Sequence, residues 1–331
     1  MTDPSAIRKL ETQILAEVSG QALMEYTRGI SRWVRLSGTP EEEEGFRYVK
    51  ALLDGFGLKT ELIFHDAYIS LPGPARMTIL GEGGPVQVIT HSMAASTPPG
   101  GIEGELIYAG SGGAGDYAEL DARNKVVLTE GLASPEKAVN AMRAGARAFV
   151  NICDDNFHEM IISPVWGSPG AAERDRLPKL PAASVVARDG AALKDKLASG
   201  PVWVRIETQV DTGWRKIPLL TAEIPGSDRD GKYVMFSGHI DSWHYGATDN
   251  GTANACMIEV ARTLSIHREE LRRGVRFCFW SGHSHGRYAG SQWYADNFWQ
   301  DLRDNCVAHI NVDSLGGKGA DNLTDTPVMA E

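Results

Sequence analysis

The sequence lacks any run of about 18 apolar residues, the length that spans a bilayer as a helix. It also lacks an excess of basic residues. Its 331 residues carry a net charge of −10, which argues against nucleic acid as a partner. The N-terminus, Met1 to Pro4, has no cationic segment followed by an apolar one, so no secretory signal is predicted there. We therefore expect a protein that contacts neither membrane nor nucleic acid.

Cysteine is scarce, with four residues in the chain and no Cys-x-x-Cys pair. Cys256 and Cys278 lie inside apolar segments and are interpreted as small buried hydrophobic residues. This pattern predicts a reducing, cytoplasmic setting. Apolar residues are not scarce: at 42% of 331 residues they can form the cores of two domains.

The most informative stretch is a polar string that follows an apolar run. Residues 233–236 predict a buried strand, and the string continues through Gly238 to Trp243 and Gly246 to Gly251. Apolar residues at helical spacing come next. They are Met257, Val260, Ala261 and Leu264. His239 therefore lies where a strand ends, and Asp249 lies just before a helix begins.

His239 and Asp241 are separated by one residue, so in an extended chain both side chains point the same way. This suits a carboxylate that holds an imidazole in one tautomer while the other ring nitrogen binds a metal ion. Asp249 has two oxygens and can bridge two ions. His-x-Asp alone also fits ordinary surface residues, but the whole string, with its Trp and its Asp-Asn-Gly, is far more specific.

The string resembles that of the two-zinc exopeptidases, a family that includes bacterial aminopeptidases and glutamate carboxypeptidases. The resemblance implies that His239 and Asp249 are metal ligands and that Asp241 orients His239. It also implies a further Asp ligand after a later strand, which Asp313 matches. The implied cofactor is one or two divalent ions, zinc by default, held by these three ligands.

Three predicted strands end in polar clusters: residues 233–236, 275–280 and 307–312. The helix between the first two makes a crossover connection, so those strands should be parallel. Sheets of this class bind ligands at the carboxyl ends of their strands. We predict an α/β fold with a mostly parallel mixed sheet between helices, similar to the zinc exopeptidases.

Residues 91–215 differ from the rest because glycine and proline are dense and predicted strands are short. They resemble the protease-associated domain often inserted in these exopeptidases. The segments that carry this resemblance are Gly104 to Tyr108, Lys125 to Leu128, Ala144 to Ala146 and Leu180 to Ala182. The predicted peptidase domain thus comprises residues 1–90 and 216–331, with a β-rich insert that either shapes substrate access as a lid or only packs.

The chain departs from the family after the strand at residues 275–280. There the family has a Glu-Glu pair, whose first Glu is the general base and whose second binds metal. This chain has His283 and Ser284 at those places, with His285 next. Imidazole transfers protons near neutral pH and can also bind zinc. Either His283 or His285 is therefore predicted to act as the base or to complete the metal shell.

Arg287 and Tyr288 follow this cluster and could hold a substrate carboxylate or an oxyanion. The predicted activity is metal-dependent hydrolysis of an amide or peptide bond in a small substrate. A metal-activated water is the expected nucleophile, and a histidine stands in for the usual Glu base. The absent Glu-Glu pair leaves an alternative open, a catalytically degenerate peptidase fold that acts as a binding or scaffold subunit.

The family has one more His ligand, well downstream of the residue that Asp313 matches, and this sequence reaches Glu331 before that point. The strand at residues 307–312 would form an uncovered sheet edge, which invites another strand. We therefore expect a second polypeptide to complete the fold and to supply a His. The chain would then be a subunit or a cleavage product, with a shortened form of the enzyme as the third possibility.

Overall fold

The computed structural model describes residues 4–316 apart from Gly83 and Arg229. Among these residues, no helix is long and apolar enough to cross a lipid bilayer. The helices and strands in chain order are α1 (Pro4–Ala16), α2 (Gly20–Ile30), α3 (Pro40–Gly55), β1 (Lys59–Ile79), β2 (Pro85–Val86), β3 (Ile89–Thr90), β4 (Ile102–Tyr108), β5 (Val126–Glu130), α4 (Pro135–Arg143), β6 (Ala148–Ile152), β7 (Ala182–Val185), α5 (Ala187–Ser199), β8 (Val202–Ile224), β9 (Tyr233–His239), α6 (Ala253–Ile266), β10 (Gly274–Trp280), α7 (His283–Gly286), α8 (Ala289–Asn305) and β11 (Cys306–Asn311). Single 3₁₀ turns and one π-helical turn complete the secondary structure. They are Ala114–Tyr117, Arg174–Arg176, Arg268–Glu270 and the π-helical turn Ala247–Thr252.

The chain forms two compact units. The first unit comprises the residues up to Ala67, Arg215–His283 and those from Tyr288 onward, and the second comprises Tyr68–Trp214 and Ser284–Arg287. Residues 91–214 of the predicted insert lie within the second unit, and the bounds of the insert stay a prediction. Residues 317–331 of the predicted peptidase domain lie outside the described residues.

In the first unit the strand order is β11-β9-β10-β8. Strand β9 pairs in parallel with β10 and β11, whereas β8 is antiparallel to β10. The register sets Trp280 opposite His239 and Asn311 opposite Ser237. The three parallel strands therefore end at one edge, which confirms the predicted parallel arrangement, and their following loops are brought together.

Helices α3 and α6 cover this part of the sheet. Thr39 caps α3 by accepting a hydrogen bond from the main-chain N–H of Glu42, and Pro40 occupies the first turn. The inward face of α3 is fully buried: Phe46, Val49 and Leu53. In α6, Met257 and Ala261 are fully buried, while Val260 and Leu264 pack partly buried against the same core. Each large aliphatic side chain buried here contributes about 1.5–3 kcal/mol.

In the second unit the strand order is β8-β4-β5-β6-β7-β3. Strands β4 to β7 are parallel, and β8 and β3 flank them antiparallel. The short strands predicted in this region correspond to β4 to β7 and to the start of β8, and α4 lies between β5 and β6. Helix α5 was not predicted, because Leu193 and Leu197 are the only large apolar residues on its buried side.

Candidate metal centre

His239 occupies the carboxyl end of β9 and is almost completely buried. Its Nδ1 lies 2.8 Å from the main-chain oxygen of Asp241, and a carbonyl can only accept, so Nδ1 carries the proton. Nε2 is then the nitrogen that can bind a metal ion once its proton is displaced, and it lies 3.1 Å from Oδ1 of Asp249 and 3.4 Å from Oδ1 of Asp313. This tautomer suits a histidine that binds a metal ion through Nε2.

The two carboxylates that face His239 come from separate loops. Asp249 lies in the π-helical turn after β9, where Gly246 has a left-handed φ of 52° and the peptide bond between Asp249 and Asn250 is cis. Asp313 follows β11. Their side chains are 49% and 39% exposed, whereas His239 is 3% exposed. The cluster is therefore buried on the histidine side and open to solvent on the carboxylate side.

Two asparagines hold these loops in place, and sequence reasoning did not single them out. The Asn250 side-chain nitrogen donates to the carbonyl of Val312, and the Asn250 side-chain oxygen accepts from the N–H of Ser314. Asn250 is therefore hydrogen-bonded to both neighbours of Asp313. The Asn254 amide donates to the main-chain oxygens of His239 and Asn250, at 2.6 Å each. The signal in the sequence that could have indicated them is a pair of asparagines four residues apart at the start of a helix.

His283 begins α7 and stacks on His239, with ring centroids 3.9 Å apart and planes at 14°. Ligand atoms of His239, His283 and Asp313 all lie within 4.8 Å of one another. Tyr288 meets the His283 ring edge-on, with centroids 4.7 Å apart. Of the two histidines that were candidates from sequence, His283 is thus the one the structure brings to this cluster.

The charges of the cluster shift its pKa values. Burial alone would lower the pKa of His239, but hydrogen bonding to Asp241, Asp249 and Asp313 raises it well above the usual value. Burial would raise the pKa of Asp313, yet His239 holds it below its usual value. Burial, together with the nearby positive charge of His239, lowers the pKa of His283 to about 4. His283 is therefore neutral near neutral pH.

The residues present fit a divalent metal ion. Within the described part of the chain, His239 Nε2 and His283 Nδ1 are buried without a well-aligned hydrogen-bond partner. Buried polar nitrogens are ordinarily paired, and a divalent ion would give both of these a partner. Imidazole nitrogen and carboxylate oxygen are the donor types that zinc takes in catalytic sites.

Comparison with known proteins finds peptidases. Residues 220–330 match Peptidase family M28. The chain is 25% identical over 376 aligned residues to Probable glutamate carboxypeptidase VP8 of Zea mays, covering 95% of this chain and 52% of that protein. It is 27% identical over 288 aligned residues to Carboxypeptidase Q of Bos taurus, covering 78% of this chain and 57% of that protein. Over residues 220–330 the chain is therefore similar to Peptidase family M28, and over most of its length it is similar to these carboxypeptidases.

Two solved peptidase structures share the fold of this chain. An aminopeptidase from Aneurinibacillus sp. strain AM-1 superposes with a TM-score of 0.70 at 20% identity, over 92% of this chain and 73% of that one. A Peptidase M28 precursor from Shewanella amazonensis SB2B gives 0.75 at 19% identity, over 91% and 72%. The chain spans about half the length of the curated relatives it matches, 52% of VP8 and 54% of Probable glutamate carboxypeptidase AMP1 of Arabidopsis thaliana.

The remaining predicted site residues are divided between the units. His285 and Arg287 belong to the second unit, where the His285 carbonyl accepts from Ser92 Oγ and the Arg287 guanidinium lies 5.2 Å over the Trp166 ring. Tyr288 belongs to the first unit. Arg287 and Tyr288 have left-handed φ values of 47° and 67°. Such a conformation is costly for bulky side chains and often marks a functional site.

Asp241 is fully buried and makes three contacts that organise the centre. Its Oδ1 lies 3.4 Å from His239 Nδ1 and accepts from the His283 N–H at 3.3 Å, while Oδ2 accepts from Ser37 Oγ at 2.7 Å. The main-chain oxygen of Asp241, rather than its carboxylate, makes the shorter contact with His239. The Asp241 carboxylate therefore contacts both His239 and His283.

We expect Asp241→Asn to weaken zinc binding by about 10–100-fold, the usual cost of losing a group that orients a metal ligand. The amide keeps the shape of the side chain but removes the charge that faces His239. Titration against a competing chromophoric chelator measures the change. Asp54→Asn, at an exposed ion pair with Lys50, is the matched control and should leave the affinity unchanged. Wild-type affinity in Asp241→Asn would show that this carboxylate does not support the centre.

Proposed function

We propose that this chain carries the catalytic centre of a metal-dependent hydrolase that cleaves an amide or peptide bond in a small substrate. The observation that carries the proposal is the convergence of His239, Asp249, Asp313 and His283 at the carboxyl ends of parallel strands. The buried Nε2 of His239, which lies 3.1 Å from Asp249 and 3.4 Å from Asp313, supports it.

In this proposal His239, Asp249 and Asp313 hold the metal ion, zinc by default. When bound, a divalent ion polarises the scissile carbonyl and lowers the pKa of a water molecule. The open, carboxylate side of the cluster leaves room for the substrate. Asn250 and Asn254 keep the two carboxylates at their spacing, so little reorganisation is needed when the substrate arrives.

His283 takes the place of the family's general base. Its imidazole is neutral near neutral pH, so it can accept the proton of the attacking water and later pass it to the leaving amine. The Tyr288 ring against its edge limits how the imidazole can turn. Tyr288 and Arg287 are the proposed substrate-binding residues, for a carboxylate or an oxyanion, because both adopt strained backbone conformations.

One feature of the sequence favours a second candidate, a catalytically degenerate peptidase fold that serves as a binding or scaffold subunit. No carboxylate stands at residues 283–285, where the family has its Glu-Glu pair. Elemental analysis of the purified protein, combined with a screen of peptide and non-peptide amide substrates, separates the two. Stoichiometric zinc together with hydrolysis supports the enzyme. The absence of hydrolysis, whether or not zinc is bound, supports the binding protein.

We also propose that a second polypeptide covers β11. Within the described residues β11 is the edge strand, and five of its six residues are exposed, including Val307 at 49% and Ile310 at 52%. Parallel strands are normally buried on both faces. In this proposal the second chain pairs with β11 and contributes a His to the metal.

Native mass spectrometry of the purified enzyme should therefore detect a complex that contains this chain and a second polypeptide. Ile310→Glu should dissociate it, because a charge on β11 prevents strand pairing. Ile266→Glu, at a residue that is 52% exposed on α6, is the matched control and should leave the complex intact. A monomer of this chain with full hydrolytic activity would contradict the proposal.

The four cysteines support a reducing compartment, as proposed from the sequence. All four are free, and Cys153 and Cys278 are buried. Burial raises the pKa of the Cys278 thiol to about 12, so it stays protonated and unreactive. We propose a cytoplasmic location on this basis.

A further inference from the structure

Arg35 is the largest fully buried side chain of the described residues, and it lies behind the metal centre rather than in it. Its guanidinium donates to main-chain oxygens instead of solvent. Two of the acceptors, Ile30 and Trp33, lie at the end of α2 and in the turn that follows, at 2.7 and 2.9 Å. Burying a guanidinium costs free energy unless its donors are satisfied. A buried arginine at this place is therefore expected to have a structural or functional role.

The other acceptors of Arg35 lie in the loop that joins the two ligands His239 and Asp249. Arg35 donates to the oxygens of Ile240, Tyr245 and Gly246, at 2.8, 2.9 and 3.1 Å. These residues bracket the loop: Ile240 directly follows His239, and Gly246 begins the turn that carries Asp249. One rigid, planar side chain therefore fixes both ends of the connection between the ligands.

The main chain around Arg35 makes further hydrogen bonds to the same loop. The Arg35 N–H donates to Ser242 Oγ, and the Arg35 carbonyl accepts from the Ser242 N–H at 2.8 Å. Gly246 allows the close approach, because a Cβ there would lie 2.9 Å from Arg35 Nη2. Two residues further on, Ser37 donates to Asp241. The segment from Arg35 to Ser37 thus contacts the loop at its two ends and in its middle.

The charge of Arg35 has a role of its own. Burial lowers the pKa of Arg35 to about 10, against the opposing effect of Asp241, Glu42 and Asp249, so the group remains cationic at neutral pH. A fixed positive charge behind Asp241 and Asp249 offsets the repulsion between carboxylates that must lie close together before a metal ion arrives.

We propose that Arg35 is a positioning residue that holds the 240–246 loop so that His239 and Asp249 are at ligand spacing before metal binds. This inference rests on the proposed metal centre. One part of the inference does not depend on that centre: Arg35 orders the 240–246 loop in the metal-free protein.

The test compares the full chain with Arg35→Met and Arg35→Lys. We expect Arg35→Met to weaken zinc binding by about 10–100-fold, as the loss of a group that orients ligands does. Arg35→Lys keeps the charge but not the planar fork, so its loss should be smaller. In the metal-free protein, hydrogen exchange of amides at residues 241–250 should be faster in both variants than in wild type.

Arg276→Met is the matched control. Arg276 is also a largely buried arginine of the first unit, bonded to Glu223, Tyr233, Tyr294 and Asp301 near the amino ends of the strands. Its loss should lower the melting temperature but should change neither zinc affinity nor exchange at residues 241–250. If Arg276→Met weakens zinc binding as much as Arg35→Met, Arg35 is merely structural and the proposal is overturned.

Ser242→Ala keeps the proposal testable if Arg35→Met does not fold. It removes one contact between Arg35 and the loop, and it should weaken zinc binding and loosen residues 241–250 to a smaller extent. Unchanged exchange in Arg35→Lys and Ser242→Ala would overturn the positioning role. A wild-type chain that binds no zinc would instead overturn the proposed function, and the exchange data would still decide whether Arg35 orders the loop.

Discussion

Replacing His239 with alanine is expected to abolish zinc binding by the full chain. His239 is the almost completely buried ligand of the cluster, and its Nε2 faces both carboxylates. Without it, Asp249 and Asp313 lose the nitrogen donor that lies 3.1 and 3.4 Å from them. Asp249→Ala should have the same effect, because few ligands remain to replace it. Each loss should exceed the roughly 10–100-fold expected for Asp241→Asn, which removes a supporting group only.

Competition with a chromophoric chelator, backed by elemental analysis, measures this loss. Melting temperature in the presence of excess chelator shows whether each variant is folded. The pH dependence has a defined sign: the neighbouring carboxylates favour a proton on His239, and zinc must displace it, so zinc affinity should fall as the pH falls. Full metal occupancy in Asp249→Ala would show that this carboxylate is not a ligand.

The sequence was sufficient to predict the sheet edge on which the centre lies. Strands β9 and β10 are apolar runs joined by a helix, so their parallel pairing follows from the handedness and length of the connection. His239 and Asp313 each follow such a run directly. Their approach to one another is therefore a consequence of local patterns plus one general rule of topology, and no long-range contact had to be known.

The sequence was not sufficient to choose between His283 and His285. Residues two apart share a face in a strand, but these two lie in the short helix α7, where two residues are about 200° apart around the axis. One side chain can therefore reach the cluster and the other cannot. The burial of Arg35 could not be predicted for a different reason. A charged residue in a loop is predicted to be exposed, and the carbonyls that accept from Arg35 lie about 200 residues away in sequence.

His283→Ala is expected to lower turnover by about 10²–10⁴-fold, the usual contribution of a group that transfers protons in the reaction. The imidazole stacks on His239 and lies among the ligand atoms, so its loss removes the proton acceptor nearest the proposed nucleophile. His285→Ala is the matched control, with the same chemical change two residues away, and it should have a much smaller effect. Single-turnover rates on an amide substrate identified by the screen, measured at saturating zinc, provide the comparison.

Zinc content and a rescue variant separate the two roles that His283 could fill. If His283→Ala keeps its zinc and loses its rate, the imidazole is the base. If it loses zinc together with activity, the imidazole completes the metal shell instead. His283→Glu restores the carboxylate that the family has at this place, so it should recover part of the rate that alanine loses, because a carboxylate can accept the same proton. Wild-type rates in both His283→Ala and His285→Ala would exclude an imidazole base and would favour the binding protein over the enzyme.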